Sequence, residues 1–148
     1  MRFAGYSAPA LAPWPRFTGD TLTLEGVPSL VTPNKHDALA PDDACAVCFG
    51  QTTTGLLLCG VPDFIVTMML LMGVPRERTL AGVEATVLAE YSCHPWEIPN
   101  HDMRIRVRLC ADCAAKAEKP MEVGPADGKM PVYRHRGPMD WEALHREQ

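Results

Sequence analysis

The clearest pattern along the chain is an alternation of apolar and basic residues over 103–109. Three arginines separate four apolar residues there, namely Met103, Ile105, Val107 and Leu109. Since successive side chains of a β-strand point to opposite faces, this pattern predicts a strand with one buried face. β-Branched and leucine residues predict a second strand over 52–58, and a shorter alternation predicts a third within 18–27.

An apolar helix is predicted to start after Pro62. Asp63 is placed to cap it, and the segment 73–75, Gly-Val-Pro, is placed to end it. The residues between are apolar on nearly all sides and include Met68, Met69 and Met72. Such a helix is either central to the core or part of an adaptable interface, and we interpret it as core.

The segment 80–92 fits two patterns. Leu80, Val83, Val87 and Tyr91 form a helical stripe, whereas alternate residues from Val83 to Tyr91 also fit a strand. We favour a strand from Ala85, because it would form a hairpin with 103–109 through the proline-containing loop 93–102. In that hairpin Glu84 and Glu90 would lie opposite the arginines.

The remaining segments divide the chain into three parts. Proline-spaced residues 1–17 predict an irregular arm that carries Trp14 and Phe17, and 18–120 form the main α+β domain, with a helix over 112–119 that Pro120 ends. Residues 121–148 predict an extended tail with a short terminal helix over 140–148 that presents Trp141.

Composition indicates one modest soluble domain. The chain has 148 residues, of which 47% are apolar and 22% charged, with a net charge of −4. An acidic protein is not expected to bind nucleic acid over most of its surface. The longest apolar run, 64–74, is too short to cross a bilayer, and no signal-peptide pattern begins the chain. We therefore expect a cytoplasmic protein with no membrane partner.

Two Cys-x-x-Cys pairs provide the candidate chemistry. They are Cys45 with Cys48, and Cys110 with Cys113. Two pairs at this spacing are typical of a tetrahedral zinc site in a reduced compartment. Four thiolates leave no open position for water or substrate, so we expect the Zn²⁺ to be structural. Gly50 is expected to let the backbone fold back so that its amides point at the thiolates.

The order of elements resembles the treble-clef zinc fold. The residues that support this resemblance are Cys45-Ala-Val-Cys48-Phe-Gly and Leu109-Cys110-Ala-Asp-Cys113. The resemblance covers 42–119, with a long insertion between the halves. It implies a knuckle, a β-hairpin and a helix whose first turn carries the second cysteine pair. Treble clefs serve nucleases, ribosomal proteins and protein adaptors, so the resemblance alone implies no activity.

The second cysteine pair also resembles the end of an HNH-type nuclease, which is built on a treble clef. That family needs a catalytic His beside the hairpin, an Asn, and a metal-binding His on the helix. Here His101-Asp102 is reversed in order, His94-Pro95 lacks an acidic neighbour, and Lys116 stands where a His would help. We therefore rank a nuclease below a binding protein.

Two cysteines and several histidines remain outside the four-cysteine set. Cys59, Cys93, His94 and His101 would supply a second zinc site if they came together. Their spacing matches no standard pattern, so we favour a buried Cys59 and surface histidines.

Two binding functions are open on this sequence. In the first, the protein is a zinc-stabilised adaptor that docks on a protein partner through aromatic anchors: Trp14, Phe17, Trp96 and Trp141. In the alternative, a basic surface binds nucleic acid or an acidic partner through Arg104, Arg106, Arg108, Lys116 and Lys119. The sequence favours the protein partner narrowly and fixes neither its identity nor the oligomeric state.

Overall fold

A computed structural model describes the backbone of 17–22 together with residues 24, 26–33, 43–126 and 128–135. The terminal helix predicted over 140–148 lies outside this range. So do Trp14, Trp141 and the side chain of Phe17, which were predicted as partner anchors.

The described chain is a small mixed α and β structure. Its strands are β1 (Phe17–Leu22), β2 (Thr54–Gly60), β3 (Met103–Arg108), β4 (Gly124–Pro125) and β5 (Met130–Arg134). Its helices are α1 (Pro62–Leu71), α2 (Arg76–Tyr91) and α3 (Ala111–Lys116), with a 3-10 helix over Pro95–Glu97. The strands predicted within 18–27, over 52–58 and over 103–109 are therefore confirmed as β1, β2 and β3.

The strands form one sheet in the order β1-β5-β2-β3, and the short β4 also pairs with β2. β2 is antiparallel to β3 and parallel to β5. The sheet therefore includes, beside β2, a strand from the segment that the sequence placed in the tail.

The two faces of the sheet carry different side chains. On one face, Leu56 and Leu58 of β2 lie beside Val107 and Ile105 of β3, and all four are buried in the main core with residues of α1 and α2. On the other face, Leu57 belongs to a smaller apolar cluster. All three arginines of β3 point to this second face, because they alternate with its buried residues.

The helix α1 confirms the interpretation of its apolar sequence as core. Nine of its ten residues are buried, including the methionines Met68 and Met69. The cap prediction was wrong. The N-cap is Val61, and it makes no side-chain hydrogen bond to the helix. Asp63 follows Pro62 and lies within the first turn. Proline tolerates the first helical position because the amide there needs no helical partner.

Residues 80–91 belong to the helix α2 (Arg76–Tyr91), so the preference for a strand from Ala85 was wrong. Val83 and Val87 are fully buried one turn apart, whereas Ala89, which would share a strand face with them, is exposed. Packing of this stripe on α1, in a segment rich in helix-forming Ala, Glu and Leu, outweighs the alternation.

The predicted hairpin between 85–92 and 103–109 is consequently wrong as well. β3 pairs with β2 instead. Glu84 and Glu90 lie on α2 and are not cross-strand partners of the arginines. Within the described residues, no helix is both long and apolar enough to cross a membrane.

Candidate metal centre

The first cysteine pair lies in a tight turn before β2. An isolated antiparallel bridge joins Ala44 to Gln51 and closes the turn at its base. Inside it, the Cys45 amide donates to the Gly50 carbonyl at 2.8 Å, and the Phe49 amide donates to the Cys45 carbonyl at 2.9 Å. These bonds hold both thiols of the pair on one side of the turn.

Backbone amides in this turn point at sulfur. The Val47 amide donates to Cys45 Sγ and the Gly50 amide donates to Cys48 Sγ, each at 3.4 Å. The residue with positive φ is Phe49, at 62°, and not Gly50. A Cβ at position 50 would lie 3.3 Å from Cys48 Sγ, so a larger residue there would press on that sulfur. The expected amide geometry is present, but the residue that adopts the unfavourable left-handed conformation is Phe49 and not a glycine.

The second pair lies where β3 passes into α3. Cys110 is the N-cap of α3, and its Sγ accepts a hydrogen bond from the Cys113 amide at 3.4 Å. The Cys110 amide in turn donates to Cys45 Sγ of the first pair at 3.4 Å. The start of α3 therefore positions its own thiols and also binds the turn that carries the other two.

The four sulfurs converge. The Sγ atoms of Cys45, Cys48, Cys110 and Cys113 all lie within 4.8 Å of one another, and the Cys48–Cys110 distance is 3.9 Å. Metal–sulfur bonds of about 2.3 Å in a tetrahedron place sulfurs roughly 3.8 Å apart. Cys45 is buried, whereas Cys48 is exposed to solvent. The group can hold a metal ion, and Cys48 is its most exposed member.

The electrostatics of the cluster favour a bound cation. Burial raises the pKa of the Cys113 thiol well above its usual value, and its hydrogen bond with Cys110 and the closeness of Cys45 and Cys48 raise it further. Four thiols at this separation disfavour more than one thiolate unless a cation lies between them. The amides directed at three of the sulfurs are the donors that metal-bound thiolates accept.

A side chain from α2 holds the first turn in place. Arg78 Nη1 donates to the Val47 carbonyl at 2.8 Å, and the Arg78 guanidinium lies 4.0 Å from the centre of the Phe49 ring. It therefore contacts both the residue whose amide binds Cys45 Sγ and the residue with positive φ. The sequence placed Arg78 in a charged turn and gave no signal of this role, because the contact spans 31 positions.

The five basic residues of the predicted basic surface differ in their surroundings. Arg104, Lys116 and Lys119 are exposed, whereas Arg106 and Arg108 are half-buried. Arg108 Nη1 donates to the Thr52 carbonyl at 3.2 Å, beside the first cysteine turn. The three arginines share one sheet face but do not form a uniformly exposed row.

The residues considered for a second zinc site do not come together within the described chain, where the metal-compatible group consists of the four cysteines above. His94 stacks on Trp96, with ring centres 4.3 Å apart, and its Nδ1 lies 3.4 Å from Glu84 Oε1. The His101 ring packs edge-on against Tyr91. Cys59 is buried, as the sequence analysis favoured. Trp96, a predicted partner anchor, is half-buried beside His94.

Neither the scan against protein-family models nor the searches of curated proteins and of solved structures found a match to this chain.

Proposed function

We propose that the four cysteines hold one structural Zn²⁺ in a treble-clef arrangement. The observation that carries the proposal is the convergence of four sulfurs, three of which accept backbone amide hydrogen bonds. Zinc is the metal that four thiolates most commonly bind in a closed tetrahedron. A closed shell supplies folding free energy and offers no position for a substrate.

The order of elements supports the treble-clef assignment in a form that differs from the expected one. The cysteine turn is followed by the antiparallel pair β2 and β3, and β3 runs directly into α3. Residues 61–102, with α1, α2 and the 3-10 helix, are inserted at the far end of that pair. The hairpin of the treble clef is then β2–β3, and α1, α2 and the 3-10 helix take the place of a short connecting loop.

We further propose that this zinc-stabilised domain acts by binding a protein partner. The exposed side of α2 supports this function. Leu88 lies there half exposed. Among the described residues, no other large hydrophobic side chain is as exposed. Ala81, about two turns earlier on the same side of the helix, and Ala89, the next residue, are also exposed.

Metal analysis tests the structural part of this proposal. Protein purified without added metal should contain one zinc ion per chain by inductively coupled plasma mass spectrometry. Iron in place of zinc, with the absorbance of an iron–sulfur cluster, would overturn the assignment. A metal-free protein with the same Tm as the metal-loaded protein would also overturn it.

The docking function is tested with a matched pair of variants. Leu88→Glu places a charge at the exposed apolar position, and Glu90→Gln is the control on the same helix. Cross-linking with quantitative mass spectrometry should identify a partner retained by wild type and Glu90→Gln and lost by Leu88→Glu. Zinc content and Tm should stay unchanged in both variants. A specific partner that survives Leu88→Glu would show that docking occurs elsewhere.

Nucleic-acid binding is the second candidate, supported by the exposed Arg104, Lys116 and Lys119. Arg104→Glu combined with Lys116→Glu changes two exposed cations and leaves the half-buried arginines in place. Fluorescence anisotropy with single- and double-stranded oligonucleotides should then show weaker binding and a smaller slope of log K against log salt. Unchanged binding and slope would remove phosphate contact by this surface.

A further inference from the structure

A row of three polar side chains crosses the sheet at the end of β2 opposite the metal centre. Cys59 of β2 is the direct partner of Arg104 on β3 and of Arg134 on β5. Paired residues of neighbouring strands project from the same face, so both arginines flank the thiol. Strand spacing of about 4.8 Å puts the two arginine Cα atoms roughly 10 Å apart.

A cavity of about 330 Å³ lies over this row. Cys59, Arg104 and Arg134 line it together with His135 and Asp102. Its volume falls in the lower part of the range for small-ligand sites, which begins at about 300 Å³. Because Arg104 and Arg134 lie on the strands either side of β2, their long side chains can approach one small ligand between them.

The charges around the cavity favour an anion. Among the described residues that line the cavity, two permanently charged guanidinium groups outnumber the single carboxylate, Asp102. Burial raises the pKa of the Cys59 thiol, an effect that the hydrogen-bonded Arg134 and the nearby Arg104 only partly offset. The thiol is therefore neutral at pH 7 and adds no negative charge to the cavity.

The guanidinium geometry narrows the ligand class. Arginine presents several N–H donors in a plane and binds oxyanions with paired hydrogen bonds. A tetrahedral oxyanion has enough oxygens to accept such bonds from two sides. We propose that this cavity is a binding site for a small tetrahedral oxyanion of the phosphate or sulfate class, held between Arg104 and Arg134 over Cys59. The site is independent of the metal and of the proposed docking function.

Isothermal titration of the metal-loaded protein with inorganic phosphate, and separately with sulfate, tests the site. Chloride at matched ionic strength is the control. Both oxyanions should give saturable binding to one site per chain, whereas chloride should give none. Arg104→Met should weaken binding about tenfold, since a hydrogen bond to a charged group contributes at least about 1.5 kcal/mol. Arg76→Met, at an exposed arginine on α2, should bind as wild type does.

Cys59 provides a second readout inside the cavity. Phosphate should slow the alkylation of Cys59 by iodoacetamide, measured by peptide mass spectrometry. Arg104→Met should need about tenfold more phosphate for the same protection and should retain its zinc. Because Arg104 is exposed, its replacement is not expected to prevent folding, so Arg104→Met tests the site itself. Equal effects of chloride and phosphate, or wild-type affinity in Arg104→Met, would overturn the proposal.

Discussion

The two ends of β2 surround cysteine in opposite ways. Where β2 begins, hydrogen bonds between Thr54 and Leu109 join it to the segment that carries the second cysteine pair, and backbone amides there point at sulfur. Where β2 ends, about 20 Å away, Cys59 is flanked by two guanidinium groups. The first end is built to stabilise several negative sulfurs around a cation. The second holds one neutral thiol beneath positive side chains that are suited to an anion.

The difference shows how each site is specified. The cysteine pairs depend on spacings of three residues, which any fold containing such a turn preserves. The row at Cys59 depends on strand register across 45 and 75 positions of the chain. A one-residue slip in either pairing would move an arginine to the other face. The first end therefore depends on local geometry, and the second on the whole sheet.

Replacing one cysteine at each end should give the largest contrast. Cys113→Ser is expected to lose the metal and lower the Tm by at least about 20 °C, because structural zinc contributes roughly 10 kcal/mol to the folding of small zinc domains. Cys59→Ser should retain the metal and cost about 1 kcal/mol. Metal content and thermal unfolding measure both. Full metal content in Cys113→Ser would contradict the assignment of the ligands.

Thiol alkylation should separate the two ends by rate. In metal-loaded protein, Cys48 should be protected although it is exposed, because its lone pair is committed to the metal. A chelator should then raise its alkylation rate at least about tenfold, while the rate at Cys59 changes less because burial limits it. Peptide mass spectrometry resolves the six cysteines. An unprotected Cys48 in loaded protein would remove it from the ligand set.

The contact from α2 predicts a smaller effect confined to the metal end. Arg78→Met should destabilise loaded protein by about 1–2 kcal/mol through loss of its hydrogen bond and ring contact. It should also speed metal transfer to a chelator. Urea unfolding and chelator absorbance measure these effects, and Arg76→Met is the matched control on the same turn of α2. Equal behaviour of the two variants would mean that Arg78 does not position the turn.

Alkaline pH should weaken the sheet slightly. Burial raises the pKa of Tyr133 on β5 above its ordinary value of 10.0. The unfolded state therefore loses this proton first, so stability is full below about pH 10 and falls as pH rises towards the folded pKa, by up to about 1.4 kcal/mol per pH unit. Tyr133→Phe should flatten that part of the pH profile in urea unfolding. An unchanged slope would show that Tyr133 does not titrate differently on folding.

The structure could be predicted from the sequence where residues close together in the chain determine it. Three strands, the apolar helix, the short helix after Cys110 and the four converging thiols all follow from spacing or periodicity. The sequence was insufficient where distant contacts decide. Residues 85–91 satisfied both periodicities, and only the packing of Val83 and Val87 against α1 selected the helix.

The same limit applies to the sites. Arg78 carries no local pattern, and nothing in the sequence places Arg134 beside Cys59. Arg104 was singled out as one of three equivalent arginines, yet pairing with β2 gives each a different partner: Cys59, Leu57 and Gly55. Residues that look equivalent in the sequence of one strand therefore differ in their surroundings once that strand pairs with another whose side chains differ.

The position of β5 also has a consequence for synthesis on the ribosome. β2 needs residues 130–134 to complete its pairing, and each paired residue of β5 follows its β2 partner by 75 positions along the chain. Until those residues have been synthesised, β2 presents an uncharged edge centred on Leu56, Leu57 and Leu58, which is the kind of edge that pairs with other chains. A nascent chain halted before residue 130 would therefore be a preferred client of chaperones that bind exposed leucine-rich strands.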